Sequence, residues 1–174
     1  MAELSQIQIS FSETEDRFLL RISTTDNEEF RFWITRRFTS HLFPLMIETI
    51  QAIPDVAAQT NVATRDAVMD FQREQATQDA DFSTPFSDEN QKTVYPLGEH
   101  AVLVAKGTLL QQSENLFNLS LKDINDIGID FSFNTDILYL LHKLLHDSLQ
   151  RTDWGLSFSH PNIATITHAS RTLN

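Results

Sequence analysis

The chain has 174 residues, a formal net charge of −11, 41% hydrophobic residues and no Cys. These values predict one domain (residues 1–174) with a sizeable core, and they exclude disulfide frameworks, thiol nucleophiles and Cys-based metal clusters. Neither a secretory leader pattern nor a membrane-spanning apolar run is visible, so a soluble, cytoplasmic protein without membrane contact is predicted. The acidic balance disfavours nucleic acid as a partner.

The first half alternates apolar and polar residues in three segments, which predicts three strands joined by polar turns. Their inward sets are Ile7/Ile9/Phe11, Phe18/Leu20/Ile22 and Phe30/Phe32/Ile34. Arg31 and Trp33 then lie on the opposite face of the third strand. Thr35 is expected to cap a helix with one apolar stripe, and Pro54 is expected to end it.

Residues 52–98 are richer in Gln, Asp, Ala and Thr and are interpreted as an insertion between two halves. A mostly exposed helix is predicted over residues 63–80, with a thin stripe formed by Ala67, Val68, Phe71 and Gln75. An acidic segment with two aromatic rings follows. Its residues Asp81, Phe82 and Phe86 could contact a partner, or the two rings could pack back onto the core of this chain.

In the second half, the sequence predicts a strand over residues 101–110 with a bulge or bend at Gly107. Two more strands follow, with the inward sets Phe117/Leu119/Leu121 and Ile129/Phe131/Phe133. Asn134 or Thr135 is expected to cap a Leu-rich helix, which Trp154 and Gly155 close. Residues 155–174 are interpreted as a short strand and a loose tail.

The two halves match at a constant offset of 99 residues, so that Phe18 corresponds to Phe117 and Phe32 to Phe131. This predicts an α+β fold of two βββα units, residues 7–51 and 102–150, with mainly antiparallel sheets. Duplication is one explanation of the match, and the general likeness of such units is another. Two units that bury their faces against each other suggest a pseudo-twofold arrangement. Exposed strand edges suggest a homodimer.

Arg31, Arg36 and Arg37 form a basic cluster in an acidic chain. Arg36 and Arg37 fall in the first turn of the predicted helix, where the helix dipole disfavours cations and free N–H groups attract anions. With Trp33 they form a candidate anion-binding or partner-binding surface. The alternative is an internal salt bridge, with Glu28, Glu29, Asp79 or Asp81 as the acidic partner.

Other patterns that carry chemistry are weak. His142 and His146 lie four residues apart on the last helix, as two metal ligands can, but boundary histidines of the helix explain them more simply. No Gly-x-Ser-x-Gly elbow or phosphate-binding loop is present in the sequence. The sequence therefore predicts no catalytic residue, no metal and no cofactor, and it does not decide whether the protein is an enzyme.

Residues 32–38 (Phe-Trp-Ile-Thr-Arg-Arg-Phe) and 80–86 (Ala-Asp-Phe-Ser-Thr-Pro-Phe) resemble a group of short proteobacterial proteins of no known function. The resemblance implies a bacterial cytoplasmic protein and carries over no site residue. The doubled pattern is also similar to single-strand-binding proteins of the Whirly and Pur type, at the level of fold only. Their sheet faces are basic and aromatic. Here the outward residues are Arg17, Arg21 and Arg31 in the first half but Asn118, Ser120 and Asp130 in the second.

Three hypotheses follow. The leading one is a non-enzymatic binding or adaptor protein that recognises another protein through the sheet–helix surface of the first half. The second is single-stranded nucleic-acid binding by the doubled unit. The third is an enzyme that acts on a small anionic substrate.

Overall fold

The computed structural model describes residues 4–79 and 93–156, together with the backbone of residues 172 and 173. The fold is α+β, as predicted, with two sheets and four helices in this part of the chain. The strands are β1 (Leu4–Ser12), β2 (Arg17–Thr24), β3 (Glu29–Thr35), β4 (Val102–Leu103), β5 (Lys106–Ser113), β6 (Leu116–Lys122), β7 (Gly128–Phe133) and β8 (Thr172–Leu173). The helices are α1 (Arg36–Gln51), α2 (Pro54–Ala57), α3 (Val62–Asp79) and α4 (Thr135–Leu149).

The first sheet has the strand order β1-β2-β3-β4, and the second has the order β7-β6-β5-β8. Within each sheet the first three strands along the chain pair antiparallel, whereas β4 runs parallel to β3. The strand predicted over residues 101–110 is two strands, because the chain changes sheet within it. The Val104 N–H donates to the Trp33 carbonyl at 3.0 Å, and the Ala105 N–H donates to the Lys122 carbonyl at 2.9 Å.

The two meanders share a pairing register at the offset of 99 residues. Phe18 pairs with Ile34 in the first sheet, and Phe117 pairs with Phe133 in the second. Both Phe18 and Phe117 are fully buried. The alternation of apolar and polar residues in the sequence therefore corresponds to one buried face on each sheet, because successive side chains of a strand point to opposite faces.

Turns and helix caps match at the same offset. Asn27 and Asp126 both adopt a positive φ, 60° and 65°, which Asn and Asp tolerate better than most residues. Thr35 and Asn134 are the N-caps of α1 and α4, and each side chain accepts a hydrogen bond from the N–H three residues later. The predicted caps are confirmed. A common origin of the two units by duplication stays a prediction.

The helix of each unit also contacts the first strand of the other unit: α1 lies against β5, and α4 lies against β1. The Phe38 ring of α1 covers Gly107 of β5, where an added Cβ would lie 2.7 Å from the ring. Phe43 and His142, which correspond at the offset of 99, stack with ring centroids 4.7 Å apart. Contact between corresponding residues is what an approximate two-fold relation produces near its axis.

Gly107 is needed for space rather than for a bend. It pairs regularly with Leu121, so the predicted bulge at Gly107 is wrong, and the irregularity of β5 lies between Gln111 and Ser113. The position is glycine because the Phe38 ring and the Ser120 carbonyl, 2.7 and 3.2 Å from an added Cβ, occupy the space of a side chain.

Replacing Gly107 by Ala should therefore destabilise the fold by about 1–3 kcal/mol through overpacking. Adding Phe38→Leu should recover part of this loss, because the shorter side chain vacates the position of the ring. Urea denaturation of the wild type, both single variants and the double variant measures the coupling. Strictly additive effects of the two substitutions would contradict the contact.

The contact face of α3 differs from the predicted one. Met69 and Ala76 are the buried residues, whereas Phe71 is 63% exposed. Of the predicted stripe only Val68 packs against the core, so that prediction is wrong. Because α3 contains few apolar residues, half-buried polar side chains fill part of its contact with α4. Hydrophobic spacing therefore cannot locate the face of α3 that packs against α4.

The chain beyond α4 returns to the first unit. Trp154, predicted to close the helix, lies five residues after its last residue, Leu149. The indole is 3% exposed and packs against Phe11 and Phe18, with ring centroids 5.7 and 4.6 Å away. Its Nε1 donates to Asp16 Oδ1 at 2.5 Å. The prediction that Trp154 closes the helix is therefore wrong, because the contacts with the β1–β2 hairpin hold the indole beyond the helix end.

Candidate binding surface on the first sheet

The outer face of the first sheet carries the residues that alternate with its buried set. Across β2 and β3, Arg17 pairs with Thr35, Leu19 with Trp33 and Arg21 with Arg31. Leu103 of β4 pairs with Trp33 from the other side. The arginine–tryptophan face is defined here by Arg17, Leu19, Arg31, Trp33 and Leu103.

Trp33 is the centre of this face and is half-buried. The Arg17 guanidinium lies 5.5 Å from the indole centroid, a cation–π distance, and its Nη2 contacts Glu15 Oε2 at 2.5 Å. Leu103 beside it is 47% exposed. An aromatic ring, an exposed aliphatic side chain and a cation therefore share one open surface.

Glu29 binds two arginines, Arg21 and Arg31, at the edge of the arginine–tryptophan face. Its Oε1 accepts from Arg21 Nε at 2.9 Å and from Arg31 Nε at 2.6 Å, and its Oε2 accepts from Arg21 Nη2 at 3.2 Å. Glu29 is 3% exposed and Arg21 is 8% exposed. Burial alone would raise the pKa of Glu29, but hydrogen bonds and charge from the two guanidiniums outweigh burial and hold this pKa below its usual value.

Arg31 also holds a distant segment of the chain. Its Nη2 donates to Tyr95 Oη at 3.0 Å, its Nη1 donates to the Glu99 carbonyl at 3.2 Å, and the guanidinium lies 4.6 Å from the Tyr95 ring centroid. The Glu29 N–H donates to the Val94 carbonyl at 2.8 Å. The chain at the end of the predicted insertion, from Val94 to Glu99, therefore lies against β3, and Arg31 binds it through these hydrogen bonds.

Arg36 and Arg37 begin α1 directly after β3, and both side chains are exposed. The first turn of α1 contains no acidic residue. Of the internal partners considered from the sequence, Glu29 is bound by Arg21 and Arg31. No ion pair of Arg36 or Arg37 is formed with any residue in the described ranges. Two cations therefore face solvent at a helix start, where the dipole does not favour them.

The corresponding surface of the second sheet has different chemistry. Asp130 there contacts Lys122 at 3.0 Å, and hydrogen bonds from Ser120 and Lys122 lower the pKa of Asp130. The two units are therefore alike in their cores and unlike on their outer faces. At the offset of 99, Arg21, Arg31, Trp33, Arg36 and Arg37 correspond to Ser120, Asp130, Ser132, Thr135 and Asp136.

The structure brings Arg31 and Trp33 onto one face, and Arg36 and Arg37 follow them along the chain. Asp81, Phe82 and Phe86 lie outside the described residues. Sequence reasoning missed Tyr95 and Leu103. Neither belongs to the periodic pattern of the first half, so no local signal indicated them.

His142 and His146 line a pocket of about 260 Å³ between α1, α3 and α4. His142 is 2% exposed, whereas the His146 side chain is 42% exposed and its Nδ1 lies 3.5 Å from Asp147 Oδ1. Across residues 4–79 and 93–156, no three His, Asp or Glu side chains are grouped in a way that could hold a metal ion. The pocket mixes charge of both signs: its lining includes Asp66, Asp70 and Arg73.

None of the helices in the described ranges is both long enough and apolar enough to cross a bilayer. Comparison of the chain with protein-family models, with curated proteins and with solved structures gives no match.

Proposed function

We propose that this chain is a non-enzymatic protein-binding or adaptor protein whose arginine–tryptophan face, with Arg36 and Arg37, recognises an acidic segment of another protein. The observation that carries the proposal is the exposed Arg36–Arg37 pair. It has no acidic partner in the described part of the chain, and it directly follows β3, which supplies Trp33.

The charge distribution supports this choice of partner. The chain has a net charge of −11, yet five arginines fall between residues 17 and 37. Glu15 and Glu29 contact three of them, Arg17, Arg21 and Arg31. The remaining pair leaves a local excess of positive charge that attracts carboxylates, and guanidiniums bind carboxylates in bidentate geometry.

The apolar part of the face supports a protein partner rather than a free anion. Trp33 and the 47% exposed Leu103 offer a surface for an aromatic or aliphatic anchor. Interface hot spots are enriched in Trp and Arg, because both bury a large area around a few directed contacts. A small anion would use the arginines and leave Trp33 and Leu103 without a role.

The double variant Arg36→Glu/Arg37→Glu should reduce retention of the partner about 10-fold or more, because two charge-assisted contacts become repulsive. The variant changes the net charge from −11 to −15, since each substitution removes one positive and adds one negative charge. Lys106→Glu/Lys143→Glu makes the same change elsewhere and is the matched control. Quantitative capture from lysate of the source cells, at low and high salt, compares wild type, variant and control.

The proposal requires at least one captured protein that wild type and control retain and the variant loses. Circular dichroism must show that all three chains are folded. If no captured protein distinguishes the variant from the control, the surface is not a protein-binding site.

Single-stranded nucleic acid is the second candidate, because arginines beside Trp33 and Tyr95 on an open sheet face resemble a base-stacking platform. Fluorescence anisotropy of a labelled oligo-dT 25-mer at about 20 mM salt tests it, since electrostatic binding is strongest there. Binding that Arg36→Glu/Arg37→Glu weakens would favour nucleic acid over a protein partner. Absence of binding at this salt would remove the candidate.

A further inference from the structure

β1 is a long edge strand whose outer hydrogen-bonding edge meets no other strand in the described part of the chain. Its nine residues, Leu-Ser-Gln-Ile-Gln-Ile-Ser-Phe-Ser, include no charged residue and no Pro. Among the described residues it pairs only with β2, and its irregularity is confined to Leu4 and Gln6. Natural edge strands are normally guarded by charge, Pro, bulges or a covering element, because an open edge accepts another strand. By contrast β7, a six-residue edge strand of the second sheet, carries the charged residue Asp130.

The corresponding edge in the second unit is covered. Ile7 pairs with Ile22, and Gly107 pairs with Leu121. Because Ile22 and Leu121 correspond at the offset of 99, Ile7 of β1 corresponds to Gly107 of β5. The outer edge of β5 at Gly107 pairs antiparallel with β8. The fold therefore accepts an antiparallel strand at this position in one unit, and across residues 4–79 and 93–156 no strand pairs with the same position on β1.

The side chains of β1 also leave apolar surface at the edge. Ile7, Ile9 and Phe11 point toward the core but are only partly buried, whereas their neighbours Leu20 and Ile22 on β2 are 3% and 2% exposed. An added strand would complete the burial of this row. Apolar burial and backbone hydrogen bonds would then act together, as in other cases of strand addition.

We propose that the occupant is a second copy of this chain, paired antiparallel along β1 with Gln8 at the two-fold axis. In this register Gln8 faces Gln8, Ile7 faces Ile9, and Gln6 faces Ser10. These three central pairs match apolar with apolar or polar with polar, as an isologous two-fold interface requires, whereas toward the strand ends Ser5 would face Phe11 and Leu4 would face Ser12. The two first sheets would join into one continuous sheet of eight strands.

Charge favours this edge over other surfaces for self-association. A chain with a net charge of −11 repels its own copy in most orientations. β1 contributes no charge to the contact, so the pairing adds no repulsion between directly opposed residues. The inference does not depend on the proposed partner, because Arg36 and Arg37 lie on α1 and not on this edge.

A charge-complementation experiment tests both the occupant and the register. Gln6→Lys/Ser10→Lys places like charges opposite each other at two positions, and Gln6→Glu/Ser10→Glu does the same with the other sign. Each variant alone should sediment as a monomer of about 20 kDa at concentrations where the wild type is a dimer. A one-to-one mixture should recover the dimer, because every opposed pair then has opposite charge.

Asn118→Lys/Ser132→Lys on the outer face of the second sheet is the matched control and should leave the dimer intact. Analytical ultracentrifugation over a concentration series measures the dissociation constants, with an expected weakening of at least 10-fold for each β1 variant. A monomeric wild type up to millimolar concentration would overturn the proposal and leave the edge to a different protein's strand. A dimer that the β1 variants do not weaken, or weakened variants that do not recover on mixing, would overturn it equally.

Discussion

Replacing Glu29 by Gln should destabilise the fold by about 3–5 kcal/mol at neutral pH, the usual cost of breaking a buried ion pair. The carboxylate is 3% exposed and accepts from Arg21 and Arg31, and Arg21 is itself 8% exposed. The amide accepts fewer hydrogen bonds and carries no charge, so the buried Arg21 guanidinium would lose the counter-charge that Glu29 supplies. Urea denaturation at pH 7 measures the difference in free energy of unfolding.

The effect should depend on pH in a defined direction. The folded state holds the pKa of Glu29 below its ordinary value of 4.5. The stabilisation is therefore fully present above about pH 4.5 and is lost as pH falls through the lower folded pKa. The difference in stability between wild type and Glu29→Gln should shrink over that window and be unchanged between pH 6 and 8.

The control for Glu29 is Asp126→Asn, which removes the exposed partner of Lys106. Exposed ion pairs contribute little, so this variant should unfold almost as the wild type does at neutral pH. Similar losses for Glu29→Gln and Asp126→Asn would mean that burial of the Arg21–Glu29–Arg31 group has no energetic consequence. The central role given to Glu29 would then be wrong.

Replacing Trp154 by Ala should destabilise the fold by about 3–5 kcal/mol, as expected for removing a large buried aromatic side chain. The indole is 3% exposed and fills the space beside Phe11 and Phe18 of the β1–β2 hairpin. Its loss would open a cavity beside Phe11 and Phe18. Thermal and urea denaturation measure the effect on global stability, and amide hydrogen exchange should show the largest loss of protection in β1 and β2.

Two milder variants separate packing from hydrogen bonding. Trp154→Phe keeps an aromatic ring but removes the Nε1 donor, and Asp16→Asn keeps an acceptor of lower charge. Each should cost less than Trp154→Ala. If Trp154→Phe is as damaging as Trp154→Ala, the hydrogen bond to Asp16 dominates and the packing argument fails.

Most of the regular structure could be predicted because it depends on local patterns. Alternation around Phe18 and Phe117 located the strands, since each sheet buries one face, and Thr35 and Asn134 indicated the helix starts through their side chains. The position of Trp154 could not be predicted, because it is set by a contact 138 residues away along the chain. The face of α3 that packs was missed because its sequence holds too few apolar residues to define one.

The candidate surface was predictable to the same extent. Alternation along β3 predicted that Arg31 and Trp33 share a face, and the predicted helix start placed Arg36 and Arg37 in the first turn of α1. Tyr95 lies 64 residues from Arg31 along the chain and meets it through the fold. The local sequence therefore supplied the arginines, while only the tertiary structure shows which of them already have partners.

The contact of α4 with β1 of the other unit has a consequence for biosynthesis. β1 ends at Ser12 and α4, which packs against it, ends at Leu149, so the ribosome adds about 140 residues before α4 is complete. At roughly 5–20 residues per second this takes about 7–28 s. Throughout that interval the uncharged β1 segment lacks the helix that packs against it in the folded protein. Neighbouring nascent chains on one polysome would carry the same segment at the same time, so the proposed pairing of two β1 strands can begin before α4 has formed.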